Sequence, residues 1–573
     1  MKLPTLSSAA SSREMVDTFR GYNHNLRIAD GEAYDMRNMT SDLYPVMSPR
    51  KPRGTWLKKN ISGMISKEQL CYTQGTKFVM GDEEYELGLS DAEKTMVSMG
   101  AYVVILPDKK YINTAQPDDR GDIENIVTIS GNVKYTMCGM DGAVYQNATV
   151  SVTAPKDPAN GAYWVDTSEE THSLKRWAAT SSQWVSIATT YVKIEATGIG
   201  RGFKQYDGVQ IQGVTAESLT DLNGTMTIWS LADDWIVVVG FIDQTVTKQE
   251  QLTVSRKMPI MDFVTEKGNR LWGCRYGENS KGEFVNEIYC SKLGDFKNWE
   301  SFMQLSTDSY MASLGSDGPF TGAITHMGYP IFFKEDCFHK VYGDIPANFQ
   351  IQTTACRGVQ KGSHKSLAIV NEVLYYKAAT TVCSYDGSLP SEIGYCLGNV
   401  HYGGAVAGGC GNKYYISMMD LDGGWHLFAW DAAKRQWHRE DEFHARGFAV
   451  NGGRLYGWSV EDEVLDMLGG GTEKVKWSWE SGEIGLNMAD MKYINRLIVR
   501  MSLDTGTEIR VYGRYDFNEN WEPLFALRST GLRSFDVPIR PKRCDYMQLR
   551  ITGEGPGKVY SITRNIMQGS ARS

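Results

Sequence analysis

Residues 268–299 read GNRLWGCRYGENSKGEFVNEIYCSKLGDFKNW. Two short apolar and aromatic runs, each bounded by Gly, Asp or Asn, have the look of paired β-strands. Similar units follow at 328–343 (GYPIFFKEDCFHKVYG), 371–387 (NEVLYYKAATTVCSYDG), 412–440 (NKYYISMMD, then GWHLFAWDAAKRQWHRE) and 451–468 (NGGRLYGWSVEDEVLDML). Corresponding strands recur at roughly 40–50 residues, the period of four-stranded propeller blades. A single blade cannot bury both apolar faces, whereas blades stacked like spokes bury each face on a neighbour. The expected fold is therefore all-β: a β-propeller of six to eight blades, with an irregular array of β-sandwiches as the alternative. Two more such units lie upstream, at 69–87 and 101–113.

The stretch 123–249 has another character, with NATVSVTAP, GAYWVDTS, SQWVSI, TTYVKIEA and an Asn223-Gly224 turn. It reads as a small β-domain inserted in a blade loop, where added length costs little closure entropy. Alternating runs at 495–502, 508–513, 534–539 and 546–552 predict a C-terminal β-sandwich of about eight strands. The expected organisation is an extended N-terminal arm (1–60), first blades (61–122), the insertion (123–250), the remaining blades (251–472) and the sandwich (473–573).

The 573 residues carry 60 Lys and Arg against 68 Asp and Glu, a formal charge of −8, with 42% hydrophobic and 22% charged residues. This is globular usage, and it excludes a generally basic nucleic-acid coat. The sandwich reverses the sign: from 490 to 573 there are 14 Lys and Arg against nine Asp and Glu. That basic rim fits an acidic partner, nucleic acid or ordinary surface charge equally. The most apolar stretch, 235–242, is far shorter than the ~18–20 residues of a spanning helix, and the N-terminus has no apolar centre of the secretory kind. Ten cysteines without a CxxC are expected to be reduced core residues of a protein made in a cytoplasm.

No motif demands catalysis. Gly557-Lys558 is followed by Val, so it is no phosphate loop. The triplets Gly198/Gly200/Gly202 and Gly553/Gly555/Gly557 lack a following helix and read as turn glycines. Cys337-x-His339 supplies two of the four ligands a closed zinc site needs, and Asp420-x-Asp422-Gly423 begins like a calcium loop whose later positions fail. His438, Glu440, Asp441, Glu442 and His444 form the densest titratable cluster, expected to be a solvated turn after Trp437. A propeller hydrolase would need two carboxylates about 5–9 Å apart across one cleft, and no pair is privileged for that role. No cofactor, metal site or catalytic residue is expected. Trp164, Trp177 and Trp184 could stack on sugar rings, with Asp166 taking hydroxyl hydrogen bonds; more simply, they are the core of a small module.

The N-terminal segment is the most specific signal. It runs Phe19-Arg-Gly21-Tyr-Asn23, Asp35-Met-Arg-Asn38 and Tyr44-Pro45-Val-Met-Ser48-Pro49-Arg50, then a tail with five cations, Arg50, Lys51, Arg53, Lys58 and Lys59. This order resembles the opening of bacteriophage tail-hub proteins, the nozzle and packaged-DNA stabilisation proteins of short-tailed phages. The matching positions are Gly21, Asn38, Pro45, Pro49, Arg50 and Arg53. The unit 268–299 is similar to a blade of the same proteins. The resemblance covers about the first 55 residues and 260–470.

The resemblance implies a non-enzymatic virion protein of the tail or neck. Its subunits would self-associate in a ring, usually a hexamer, join the portal and adaptor to distal tail or fibre proteins, and touch exiting DNA transiently. The five cations of the tail would then contact a neighbouring subunit. The alternative is a carbohydrate-binding tail adhesin, in which Trp164 and Trp177 are exposed and coplanar.

Overall fold

A computed structural model describes residues 10–516 and 518–569. The first nine residues of the arm, position 517 and the last four residues of the sandwich lie outside the described residues. The fold is all-β, a β-propeller with an inserted β-domain and a C-terminal sandwich. Among the described residues, six four-stranded sheets and one run of four strands within a larger sheet have blade topology. In chain order their first strands are Gly63–Ser66, Thr95–Met99, Phe263–Glu266, Gly322–His326, Ala368–Val370, Tyr402–Cys410 and Ala445–Asn451.

The chain forms two compact units. One comprises Met1–Lys94, Phe332–His339 and Thr353–Ser573, the other Thr95–Ile331 and Lys340–Gln352. In the first unit the leading strands of the fifth, sixth, seventh and first sheets lie side by side in that order. Strand Lys413–Asp420 shows why. Tyr414, Ile416 and Met418 point into one core, while Tyr415, on the opposite face, packs with Leu427, Leu455 and Met467 in another. Period-two alternation with both faces apolar leaves a strand stable only between two neighbours.

The arm does not stand away from this body. Ser11–Val16 pairs with Gly557–Gln568, and Gly21–Tyr22 joins the outer strand of the sixth sheet through Tyr22 opposite Trp437. Glu32–Arg37 lies parallel to Gly21–Tyr22 and antiparallel to Lys476–Ser481. Through these two strands the sixth sheet runs without a break into the C-terminal domain. Arg53–Lys58 is the outermost strand of the seventh sheet, beside Glu463–Gly470. The arm thereby covers the open edge of the sixth blade, which removes a site of unwanted strand pairing, and supplies the outer strand of the seventh.

The C-terminal domain is organised by one long strand, Lys492–Tyr515. It pairs with Gly557–Gln568 over its first half, with Met547–Glu554 over its second, and with Glu522–Val537 on its other side. The change of partner falls between Leu503 and Glu508, where Gly506 has φ +81°. A single strand thus serves both layers around Val499, Met501, Ile509, Val511, Ile551 and Ile562.

In the second unit, Asn125–Cys138 and Val246–Arg256 run antiparallel as the two central strands of a seven-stranded sheet. A separate four-stranded sheet, 149–186, carries the tryptophan module. Asn223-Gly224 follows the 3-10 turn Glu217–Leu222 instead of closing a hairpin, because the Asn223 side chain hydrogen-bonds both backbone groups of Val214. Buried Asp207 ties this region to the third sheet: Arg256 and Asn298 donate to its carboxylate, and Asn298 accepts from the Gly208 amide. All ten cysteines are free thiols and none is exposed.

Gly21 carries a specific test. Its φ is +87°, and a Cβ there would sit 2.4 Å from the Trp437 carbonyl oxygen. Gly21→Ala is expected to cost at least about 2 kcal/mol, because backbone strain and a backbone clash combine. A urea midpoint unchanged from the parent protein would contradict this packing.

Candidate functional site

The cluster around residue 440 is not a solvated turn. Glu440 is 3% exposed, and its carboxylate, with that of Asp441, receives two guanidinium groups from the arm. Arg53 donates to Glu440 at 2.6 Å and to Asp441 at 2.8 Å; Arg50 donates to Asp441 at 3.0 Å and through Nε to the Asn38 side chain at 2.8 Å. Asn38, at φ +58°, completes the joint: its amide donates to the Glu440 carbonyl and its side chain to the Lys476 carbonyl. Three separate stretches of chain therefore converge on two carboxylates. Burial raises the pKa of Asp441, but Arg53 and Arg50 outweigh it and hold the group below its ordinary value. His438, beneath Gly21, is driven down to about 3 by burial and then by Lys413.

Two charged grooves open on either side of this joint, of about 740 and 650 Å³, and both are lined by Arg37, Asn38, Glu442 and Lys476. The exposed Arg37–Glu442 ion pair marks the divide between them. In the larger groove Arg439 bonds Asp35 at 2.9 Å and donates to His426 Nδ1 at 3.0 Å, which leaves the His426 Nε2 proton for Asp420 at 2.6 Å. That His426 bond, the first of several, lowers the pKa of Asp420, so the suspected calcium loop is closed by a histidine. Deeper in, burial raises Glu480 above the usual carboxylate range against the opposing pull of Arg550, which it meets at 2.5 Å.

The five candidate subunit-contact residues fall into different settings. Arg50 and Arg53 are turned inward and consumed by Glu440 and Asp441, and Lys58 meets Glu463 on the adjoining strand at 2.6 Å. Lys51 and Lys59 are exposed. The tryptophan module also differs from a sugar platform. Trp164 is buried under Lys175, and the Trp164–Trp184 and Trp177–Trp184 rings meet edge to face at 64° and 61°. Asp166 is bonded by Lys175 at 2.6 Å, and this bond, with those from Ser168, lowers it to about 2. Cys337 and His339 lie 3.9 Å apart in a packed strand, His339 lowered to about 4 by burial. Among the described residues no group of three metal-ligating side chains converges. Gly553 leaves space for the Trp477 indole, which would come within 2.3 Å of a Cβ there.

Sequence reasoning passed over Asp35, Arg37, Glu480, Arg510 and Arg550. The available signal was charge alternation in KWSWES, EIRVYG and MQLRITGE, where every second residue faces outward.

No protein-family model matches the chain, and no curated protein does. Among solved structures it is similar to U3-55K (7% identity over 51% of this chain and 88% of that one, TM-score 0.24). It is also similar to the endosialidase of phage phi92 (9%, 80% and 69%, TM-score 0.24) and to Trypanosoma rangeli sialidase in complex with sialic acid (10%, 91% and 95%, TM-score 0.22). These likenesses are too slight to bear on what this chain does.

Two outcomes are expected of the joint. Asp441→Asn leaves a buried guanidinium short of a counter-charge and should cost about 3–5 kcal/mol in urea unfolding, against at most about 0.5 kcal/mol for Lys58→Ala at the exposed pair; equal costs would contradict the burial. His438 refuses a proton in the folded state that the unfolded chain accepts. Its contribution is complete above about pH 6.5 and declines toward about pH 3, by up to ~1.4 kcal/mol per pH unit. Replacing it by Gln should flatten unfolding midpoints across that window, and a slope unaltered by the change would refute the assignment.

Proposed function

We propose that this chain is a structural virion protein of a bacteriophage tail, a hub or nozzle subunit. In this reading it joins the portal and adaptor region to the distal tail, assembles as a ring of copies and lines or gates the path of the exiting DNA. The observation that carries the reading is the arm. Four of the six positions on which the resemblance rests fasten the arm down: Gly21 against Trp437, Asn38 and Arg50 at the joint, and Arg53 in the ion quartet. A load-bearing role is consistent with charged groups paired to one another and with strands spliced across two domains.

The net charge of −8 also suits DNA sliding, because phosphate affinity rises with each cation presented and a predominantly anionic surface holds DNA weakly. Lys51 and Lys59 remain the members of the cationic tail best placed to meet a neighbour.

Imaging the parent particle with a bound antibody fragment, together with native mass spectrometry of the purified chain, tests the reading. A ring of copies at the tail axis is the expected result. A chain absent from particles and monomeric at high concentration would overturn it.

A further inference from the structure

The larger groove has a built interior. Its floor is the outward face of the sheet in which Glu32–Arg37, Lys476–Ser481, Met547–Glu554 and the second half of Lys492–Tyr515 lie side by side. Register places Ser478 opposite Thr552, and Thr552 opposite Arg510, all in one row across the strands. The rows on either side pair Glu480 with Arg550 and Lys476 with Glu554. Two short hydroxyl side chains at the centre, ringed by long charged ones, make a cup with a polar floor and a rim of alternating sign.

We propose that this cup binds a neutral, hydroxyl-rich ring, a saccharide unit. The proposal stands apart from the tail reading and does not depend on it. The rim carries matched numbers of cations and anions, so it favours neither a phosphate nor an ammonium ligand. Its ions already hold one another: Arg550 meets Glu480 at 2.5 Å, and Arg510 meets Glu508 at 2.8 Å. Arg550 is further steadied over the Trp521 ring at 4.3 Å.

A paired guanidinium keeps unspent N–H donors, and a paired carboxylate keeps unspent lone pairs. A sugar hydroxyl both donates and accepts, so it can answer both kinds of group at once. Side chains already fixed by their partners lose little freedom when a ligand arrives. The volume, about 740 Å³, falls within the span of small-molecule sites, roughly 300–1,000 Å³. The lining is too polar for an apolar ligand.

The test uses the full chain against a broad array of neutral oligosaccharides, with titration calorimetry on any hit. Polyphosphate and a zwitterionic tripeptide serve as counter-probes. Thr552→Trp fills the cup at a strand position where an aromatic residue is well tolerated, and Arg510→Ala removes a rim donor while leaving the floor. Both should weaken saccharide binding at least about tenfold, some 1.4 kcal/mol, with unaltered thermal midpoints. Trp177→Ala, in the tryptophan module, should bind as the parent does. Loss of binding in Trp177→Ala with retention in Thr552→Trp would overturn the assignment. So would saturation by polyphosphate or peptide alone, or no saccharide bound by the parent chain. Ring assembly, read by imaging, is untouched by any of these outcomes.

Discussion

Two adjacent carboxylates, Glu440 and Asp441, sit where water is nearly excluded, and Arg50 and Arg53 come to them from the far end of the chain. An unpaired charge in such a place would be strongly destabilising, so the blade that ends at residue 440 and the arm that holds the guanidiniums require each other. The joint fixes Asn38 and the strand Arg53–Lys58, and so the outer edge of the seventh sheet. It also sets the walls of both grooves. Ionic partnership of this kind contributes less net stability than an apolar core, but it specifies which segments meet.

The same economy recurs elsewhere. Asp207, Arg256 and Asn298 do for the inserted domain what the quartet does for the arm, tying it to the third sheet through a buried carboxylate whose pKa burial raises and Arg256 pulls back. Edge strands are spliced, not capped: the sixth sheet passes through Gly21–Tyr22 and Glu32–Arg37 into the C-terminal sheet. Force applied at the sandwich would pass to that blade through strand hydrogen bonds. The outward polar face of the C-terminal sheet belongs to strands that have hydrogen-bonded neighbours on both sides.

Much of this was legible in advance. The doubled apolar faces of NKYYISMMD and GWHLFAWD report strands buried on two sides, and the change of pattern after residue 122 reports the insertion. Tyr163, Trp164 and Trp177 were visible as a module, although whether their faces were open to a ligand depended on neighbouring rings. The cluster His438–His444 was visible too, and there local reasoning failed. Five titratable residues in seven look solvated unless one knows that arginines nearly 400 positions earlier lie against them. The groove was hidden for a related reason, since its residues come from five strands and each strand alone shows only ordinary polar alternation.

What the sequence alone determined is the period. Successive side chains of a strand point to opposite faces, so alternation, turn glycines and the recurrence of similar units establish an all-β chain and favour a propeller with added β-domains over an array of sandwiches. What only the tertiary structure decided is partnership. Charge pairing, ring packing and cup geometry depend on distances between residues far apart in the chain, and a linear pattern carries no information about those distances. Arg53 therefore reads as a surface cation in the sequence and is a buried tie in the fold.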